Sequence, residues 1–290
     1  MNAPRNLIWI GSFPKSGNTW VRAFLGNYFQ PTGKSLSINE LSSITTSDIR
    51  QDWFDKAAGK PFQTTSFDDW IQMRVKVLRL IALSSQGNRF VKTHSKIDRV
   101  GDIDFIPPQV TAAAICIIRN PFDVVISFAR HNSISIDDAI ERMCDHKNMS
   151  SADNGILEVL GRWDDHIQSW TKAPGLPRHI MRYEDMVDNP KTAFTTLLKF
   201  LQVPVDYKTM QRALKETSFS ALQKQENSEG FREKPPEMDK FFSTGKYGGW
   251  VDTLSSEQVA RIHTEFKAAI EEYFPETGAQ ALTFIANEKA

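Results

Sequence analysis

The sequence predicts an α/β fold, a three-layer sandwich in which a central, mainly parallel sheet lies between two layers of helices. Short, nearly continuous apolar runs alternate along the chain with segments of helical periodicity. The length of 290 residues fits one large domain of this class at least as well as two small ones. We therefore expect residues 1–290 to form a single domain.

The elements follow from local patterns. Four apolar runs predict strands at Leu7–Ser12, Arg89–Lys92, Ala113–Ile118 and His179–Tyr183. Helices are predicted to begin near Gly17, after Pro121, at Pro190 and near Ser255. Proline suits a first helical turn, and Ser255 has capping-box spacing to Gln258.

Two segments, residues 31–88 and 131–156, do not fit this alternation. The first carries Trp53, Phe54, Phe62, Phe67 and Trp70 among polar residues. Segments inserted between core elements often build substrate walls in α/β enzymes, although an ordinary packed excursion is an equal alternative. We expect both to lie on the substrate side, with the aromatic residues lining it.

The composition restricts the class of partner and compartment. Lys plus Arg and Asp plus Glu both number 35, and this zero net charge argues against broad nucleic-acid binding. The two cysteines form neither a disulfide framework nor a zinc motif. The N-terminal apolar run ends at Gly11, too early for a signal peptide or a transmembrane segment. We expect a cytoplasmic enzyme without a metal or a nucleic-acid partner.

The first candidate site is the loop Pro14-Lys15-Ser16-Gly17-Asn18-Thr19, between a predicted strand and a predicted helix. Backbone N–H groups at a helix start favour an anion such as phosphate. In nucleoside triphosphatases the lysine directly follows the last glycine of such a loop, whereas here Asn18 follows Gly17 and Lys15 comes earlier. The alternative is a strand-turn-helix corner that contains Lys and Gly by chance.

A second basic position follows the predicted strand that ends at Ile118. Arg119-Asn120-Pro121 comes next, and Ser127 lies eight residues after Arg119 on the following helix. Triphosphatases typically place a magnesium-binding Asp at the corresponding strand end. An arginine there favours an anion that is held without metal.

The third candidate is His94, in the run Arg89-Phe90-Val91-Lys92-Thr93-His94. A lone histidine is more often structural or exposed than catalytic. This one closely follows a predicted strand, where α/β active sites gather, and a neutral imidazole suits a general base near neutral pH.

Together these motifs resemble the cytosolic-type sulfotransferases, whose sulfuryl donor is 3′-phosphoadenosine 5′-phosphosulfate (PAPS). Pro14–Trp20, Lys92–His94 and Arg119–Ser127 occur in the order that the family shows. The resemblance extends from residue 7 to about residue 270 and implies a P-loop nucleoside-triphosphatase-like fold. The doubled glycine before Trp250 resembles bacterial members more than animal ones.

The resemblance also implies roles for individual residues. Lys15 would contact the bridging oxygen or the sulfonate, and His94 would be the general base, with Lys92 as its electrostatic partner. Ser127 would join Arg119 at the 3′-phosphate and is included with Lys15, Lys92 and His94 in the catalytic set. The remaining donor-binding residues would be Ser16, Gly17, Asn18 and Thr19 at the 5′-phosphate, Trp20, Tyr183, Thr217 and Phe219 at the adenine, and Ser243, Thr244 and Gly245 in the C-terminal signature.

That C-terminal signature departs from the family pattern. The family typically has two basic residues before the first glycine, where this sequence has Ser243 and Thr244. A hydroxyl can hydrogen-bond a phosphate but brings no charge. Either Lys246 or Arg232 compensates, or the demand for a 3′-phosphate is relaxed.

The resulting hypothesis is in-line transfer of a sulfuryl group from PAPS to a hydroxyl or amine of a small-molecule, glycan or lipid acceptor. The alternatives are a magnesium-dependent P-loop kinase or hydrolase, and a non-catalytic adenine-nucleotide-binding relative. The dimerisation motif of many animal relatives does not occur, so the sequence leaves the oligomeric state open.

Overall fold

The computed structural model of the protein describes residues 3–30, 33–151 and 155–288. The strands, in chain order, are β1 (Leu7–Ser12), β2 (Thr45–Ser47), β3 (Arg89–Thr93), β4 (Arg99–Val100), β5 (Ile103–Asp104), β6 (Thr111–Ile118), β7 (Met149–Ser151), β8 (Leu157–Val159) and β9 (Arg178–Arg182).

Helices occupy most of the remaining chain. They are α1 (Asn18–Phe29), α2 (Gln51–Ala58), α3 (Phe67–Leu83), α4 (Pro121–Asn132), α5 (Ile136–Cys144), α6 (Trp163–Thr171), α7 (Tyr183–Asp188), α8 (Pro190–Phe200), α9 (Tyr207–Glu216), α10 (Phe219–Glu229), α11 (Ser256–Glu265), α12 (Lys267–Tyr273) and α13 (Pro275–Glu288), with 3₁₀ turns at Ile38–Ser43 and Gly249–Asp252. Within the described ranges, none of these helices is both long enough and apolar enough to cross a membrane.

In the part of the chain that the structure describes, the central sheet has five strands in the order β2-β3-β1-β6-β9, and every neighbouring pair is parallel. The predicted parallel sheet is therefore confirmed. Two antiparallel ribbons, β4-β5 and β7-β8, lie outside it. Since β1 has β3 on one side and β6 on the other, the chain reverses its direction of strand addition around β1, which is where α/β folds open a crevice.

Helices cover both faces of this sheet. Leu7 and Trp9 of β1 belong to a core that includes residues of α2, α3 and α6. Ile8 and Ile10 face the other way and pack with residues of α1, α8 and α9. Alternate residues of a strand point to opposite faces, so this division establishes the three-layer architecture that the sequence predicts.

The boundaries agree with the predicted ones except at a few positions. Strand β1 has the predicted bounds, and Ser255 forms a capping box with Gln258 at the start of α11, as predicted. The strand predicted to reach Tyr183 ends one residue earlier, because the chain turns into α7 and brings the Glu184 carboxylate to Asn120. Strand β2 was not predicted, since it is only three residues long and those residues are polar.

The aromatic side chains of residues 31–88 are not where the sequence suggested. Trp53, Phe54, Phe62, Phe67 and Trp70 pack in the core beside α2 and α3, against one face of the sheet. The expectation of an aromatic substrate wall is therefore wrong. The reason is that this face would be uncovered without α2 and α3, so their large apolar side chains are needed there.

Candidate active site

A cavity of about 1200 Å³ lies beyond the carboxyl ends of β1, β3, β6 and β9. It brings together residues from all the sequence motifs. The predicted site residues that line it are Lys15, Gly17, Asn18, Thr19, Trp20, Lys92, His94, Arg119, Ser127, Tyr183, Thr217, Phe219, Ser243, Thr244 and Gly245. Ser16 is buried beside the cavity but does not line it.

The loop after β1 has the backbone geometry of an anion-binding turn. Lys15 (φ 69°) and Gly17 (φ 109°) both adopt left-handed conformations. Gly17 begins α1 without a side-chain cap, so N–H groups of the first helical turn remain available to a ligand. A Cβ at Gly17 would lie 2.9 Å from the Tyr183 ring, which explains the need for glycine.

The side chains of Asn18 and Ser16 in this loop differ in their partners. Asn18 Nδ2 donates to the carbonyl oxygen of Ile10 (2.9 Å) and to Ser12 Oγ (3.2 Å), which fastens the start of α1 to the end of β1. The hydroxyl of Ser16 is buried without a partner among the described residues. The Ser16 hydroxyl is therefore a further unpaired group beside the cavity, whereas the Asn18 amide nitrogen is used within the protein.

Lys15 brings a buried cation to the same loop. Its Nζ lies 3.7 Å from the centre of the Phe241 ring and has no hydrogen-bond partner among the described residues. Burial, followed by the charges of Arg119 and Arg130, lowers the pKa of Lys15 to about 7. An anion beside Nζ would stabilise the charged form.

Four contacts fix His94 at the end of β3. Its Nδ1 lies 2.8 Å from the carbonyl oxygen of Ser12 and 3.2 Å from the hydroxyl of the same residue. The backbone N–H of His94 donates to Glu158 (3.1 Å), and its carbonyl oxygen accepts from His166 Nε2 (3.0 Å). The Ser12 carbonyl, the nearer of the two groups, accepts only, so Nδ1 carries the proton. Within the described ranges no residue hydrogen-bonds to Nε2, whose lone pair is therefore available. Burial and the neighbouring Lys92 ammonium hold the pKa of His94 well below its usual value, which keeps the ring neutral.

Beneath His94, a buried ion pair supports the end of β3. Asp48 and Arg74 are almost completely buried, and Arg74 Nη2 lies 2.7 Å from Asp48 Oδ2. The same Asp48 oxygen accepts from the Thr93 hydroxyl at 2.6 Å. The backbone that carries Lys92 and His94 is thereby tied to α3.

Arg119 bridges two loops at the opposite side of the cavity. Its guanidinium donates to the carbonyl oxygens of Lys15 and Lys246 (3.2 Å each) and lies 4.2 Å from the centre of the Tyr183 ring. Both carbonyls are neutral acceptors, so these bonds orient the arginine without neutralising it. Its Nε is buried and has no partner in the described chain.

The C-terminal signature borders the same region. Gly245 (φ 64°) lies so close to Phe219 that a Cβ would fall 2.1 Å from the ring. Ser243 accepts a hydrogen bond from the Arg130 guanidinium. Thr217 uses its hydroxyl to bind the Ala213 carbonyl (2.7 Å).

The structure adds charged residues that the sequence motifs did not indicate. Glu158 lies 3.9 Å from Lys92, and Glu233 forms a bidentate pair with Arg22 (2.7 and 2.8 Å). No local pattern marks either glutamate, because β8 and the turn at Glu233 reach the site only through tertiary folding. Arg130 could have been found, since it lies three residues after Ser127 and thus on the same helix face.

The cavity suits an anionic nucleotide on two grounds. Lys15 Nζ, Arg119 Nε and Trp20 Nε1 border it as buried donors that have no partner within the described part of the chain. Aromatic faces of Trp20, Tyr183 and Phe219 lie beside them. Buried donors of this kind are costly unless a ligand or water pairs with them.

Comparison with known proteins agrees with this geometry. Residues 5–274 match the family model described as Sulfotransferase domain. Cytosolic sulfotransferase 10 of Arabidopsis thaliana is 23% identical over 278 residues, which cover 88% of this chain and 75% of the relative. Sulfotransferase 1 family member D1 of Mus musculus is 23% identical over 273 residues, with 91% and 83% covered.

Solved structures share the architecture. A mouse sulfotransferase complexed with PAP superimposes with a TM-score of 0.62 and 16% identity, covering 98% of this chain and 91% of that one. Retinol dehydratase in complex with androsterone and PAP has a TM-score of 0.63 and 16% identity, covering 92% and 81%. The predicted P-loop nucleoside-triphosphatase-like fold is confirmed.

Proposed function

Because the chain belongs to the sulfotransferase family, we propose that it transfers a sulfuryl group from PAPS to a hydroxyl or amine of an acceptor. One observation carries the proposal: a single cavity joins the Lys15 loop, with its free helix N–H groups, to a histidine whose Nε2 is free. We infer that residues 1–290 act as one sulfotransferase domain. The name of the relative cytosolic sulfotransferase 10 favours action in the cytoplasm.

The donor would be held at two charged positions and one aromatic position. The loop Lys15–Thr19 would hold the 5′-phosphosulfate, and Arg119 with Ser127 the 3′-phosphate. Trp20, Tyr183 and Phe219 would enclose the adenine. The unpaired buried donors at Lys15, Trp20 and Arg119 support this arrangement.

When bound, PAPS supplies a sulfuryl group whose leaving group is the 5′-phosphate of adenosine 3′,5′-bisphosphate (PAP). His94 Nε2 would take the proton from the acceptor as the acceptor's oxygen or nitrogen forms its bond to sulfur. The sulfur–oxygen bond to the phosphate breaks in line, and its electron pair stays on the phosphate oxygen. Lys15 would stabilise that developing charge, and Lys92 would add to the positive field.

The acceptor side of the cavity combines polar and apolar side chains. From residues 31–88 the wall receives Ile38, Leu41, Thr45, Ser47, Ile49 and Arg50, and from residues 131–156 it receives Asn148, Met149 and Ser150. Thr45, Ser47 and Arg50 already have partners in the protein, whereas Asn148 Nδ2 is buried without one among the described residues. An acceptor with no further polar group would leave that donor unpaired, which is costly. We therefore propose an acceptor that carries a polar group beside the reacting hydroxyl or amine, such as a polar small molecule or a glycan, over a sterol-like lipid.

Radiolabelled PAPS offered with a panel of sugars, polar amino-alcohols, phenols and sterols tests both statements. Label transfer to the polar classes, lost in His94→Gln, is expected. Transfer to sterols alone would contradict the acceptor assignment while leaving the enzyme class intact. No transfer, together with PAP binding that is unaffected by His94→Gln, would favour the non-catalytic alternative.

The kinase or hydrolase alternative predicts a different nucleotide profile. Titration with PAP and with ATP, each with magnesium and with EDTA, separates the two. The proposal expects PAP to bind equally well in EDTA. Tighter binding of ATP than of PAP, and only with magnesium, would contradict it.

A further inference from the structure

Three cations gather around the loop Ser243–Gly245. Lys15, Arg119 and Arg130 all line the cavity, and none has a carboxylate within 4.0 Å among the residues that the structure describes. The charges of Arg119 and Arg130 both lower the pKa of Lys15, so the three lie within electrostatic reach of one another. Clustered like charges without acidic partners are unfavourable unless an anion joins them.

The acid that influences Lys15 does not neutralise the cluster. Glu226 accepts the backbone N–H groups of Phe241 (2.7 Å) and Phe242 (2.9 Å). Its carboxylate therefore fixes the start of the segment that leads to Ser243. The hydrogen bonds of the two arginines likewise go to neutral acceptors: carbonyls for Arg119 and the Ser243 hydroxyl for Arg130.

The second anion position can be located on α4. Arg119 lies two residues before the start of this helix, and Ser127 and Arg130 lie three residues apart on it, hence on one face. Both side chains line the cavity. An anion between them would meet two guanidinium groups and a hydroxyl, apart from the backbone N–H groups that the Lys15 loop offers.

We infer that Arg130 is a specificity-determining residue that binds the 3′-phosphate of the donor together with Arg119 and Ser127. The inference rests on the proposed function. Ser243 then orients the arginine, and the positive charge that the 243–244 segment lacks comes from α4 instead. For Lys246 and Arg232, the hydrogen bonds within the described residues come from backbone atoms, the Lys246 carbonyl to Arg119 and the Arg232 N–H to Asn39. Neither of their charged groups is oriented by a hydrogen bond there, as Ser243 orients Arg130.

The test compares the affinities for PAP and AMP, which differ by the 3′-phosphate, by calorimetry at constant salt. The wild type is expected to prefer PAP. Arg130→Gln is expected to weaken PAP binding about 10- to 100-fold while sparing AMP, since a charge-assisted hydrogen bond is lost. Arg130→Lys should restore part of the preference. Arg261→Gln, at a partly exposed arginine of α11 outside the cavity, is the matched control.

Arg130 is exposed at the cavity wall, so its substitution leaves no hole in the core, and thermal melts verify folding. If folded Arg130→Gln keeps the wild-type ratio of PAP affinity to AMP affinity, the inference is overturned. It is also overturned if the preference for PAP is lost in Arg232→Gln or Lys246→Gln but not in Arg130→Gln. Equal affinities in the wild type would overturn the 3′-phosphate assignment. If the wild type binds neither nucleotide, the proposed function itself fails, which is a distinct result.

Discussion

Nδ1 of His94 lies 2.8 Å from the carbonyl oxygen of Ser12, a residue 82 positions earlier in the chain. The contact follows from the sheet: β1 and β3 are parallel neighbours, and Gly11 pairs with Thr93, so the residues that follow them meet at the same edge. Because the carbonyl accepts the Nδ1 proton, Nε2 is the nitrogen that is free to accept a proton. The tautomer is thus set by strand register.

His94→Gln is expected to lower kcat by about 10²- to 10⁴-fold, the usual contribution of a general base, while the melting temperature changes little. Glutamine preserves a polar side chain but cannot take the proton. Sulfuryl transfer under saturating donor measures the effect. His263→Gln on α11, outside the cavity, is the control and should keep full activity. Wild-type turnover in His94→Gln would contradict the assignment of His94 as the general base.

The pH profile should carry the signature of this histidine. Burial and Lys92 hold the pKa of His94 well below 6.5, so the ring remains a neutral base until the pH falls well under that value. The acidic limb of kcat/KM is therefore expected below 6.5 in the wild type. Lys92→Met removes a nearby cation and should move that limb to higher pH. A limb that stays in place would show that Lys92 does not act on His94 through charge.

Much of the fold could be predicted because its signals are local. The apolar run of β1, the proline at the start of α4 and the capping box of α11 each act over a few residues. Strand β2 could not be predicted from the sequence, because three polar residues show no hydrophobic periodicity. In the structure this strand pairs with β3.

The site was predictable only in part for a related reason. Lys15, His94 and Arg119 each follow a strand, and parallel strands bring their carboxyl ends to one edge. Glu158 and Glu233 reach that edge from a short ribbon and an irregular segment, whose position depends on the completed fold. The aromatic residues of 31–88 were misassigned because a pattern of large apolar side chains does not distinguish a core from a binding wall.

Nucleotide affinity should depend on the ionisation of Lys15. Its pKa is lowered to about 7 by burial and by the charges of Arg119 and Arg130, and a bound anion raises it again. PAP affinity is therefore expected to fall as the pH rises through about 7, with proton uptake on binding. Calorimetry in buffers of different ionisation enthalpy measures that uptake. In Lys15→Arg the charge is permanent, so the extra proton uptake should disappear; equal uptake in both proteins would contradict the assignment.

Removal of one partner from the buried Asp48–Arg74 pair should strongly destabilise the fold. Arg74→Met leaves a carboxylate without its cation in the core and is expected to cost about 3–5 kcal/mol in the free energy of unfolding. Urea denaturation measures the loss. Asp48→Asn combined with Arg74→Met should recover part of it, because the stranded charge is gone while Thr93 keeps an acceptor.

A surface pair provides the comparison for that experiment. Lys172 and Glu272 are both about half exposed at 2.7 Å, and water already solvates their charges. Lys172→Met should therefore be far less damaging than Arg74→Met. Similar losses in the free energy of unfolding of the two variants would mean that Asp48 is protonated in the folded protein. Removal of Arg74 would then leave no unpaired charge in the core.

Two glycines of the C-terminal signature provide a matched pair for the donor site. At Gly245 the backbone is left-handed, and a Cβ would fall 2.1 Å from Phe219, so Gly245→Ala must displace the ring or the loop. At Gly249 nothing lies within 4 Å, and the backbone is not left-handed. Gly245→Ala is expected to weaken PAP and AMP binding together, because Phe219 lies on the proposed adenine side, whereas Gly249→Ala should bind both normally. A loss confined to PAP would instead locate the effect of Gly245 at the 3′-phosphate.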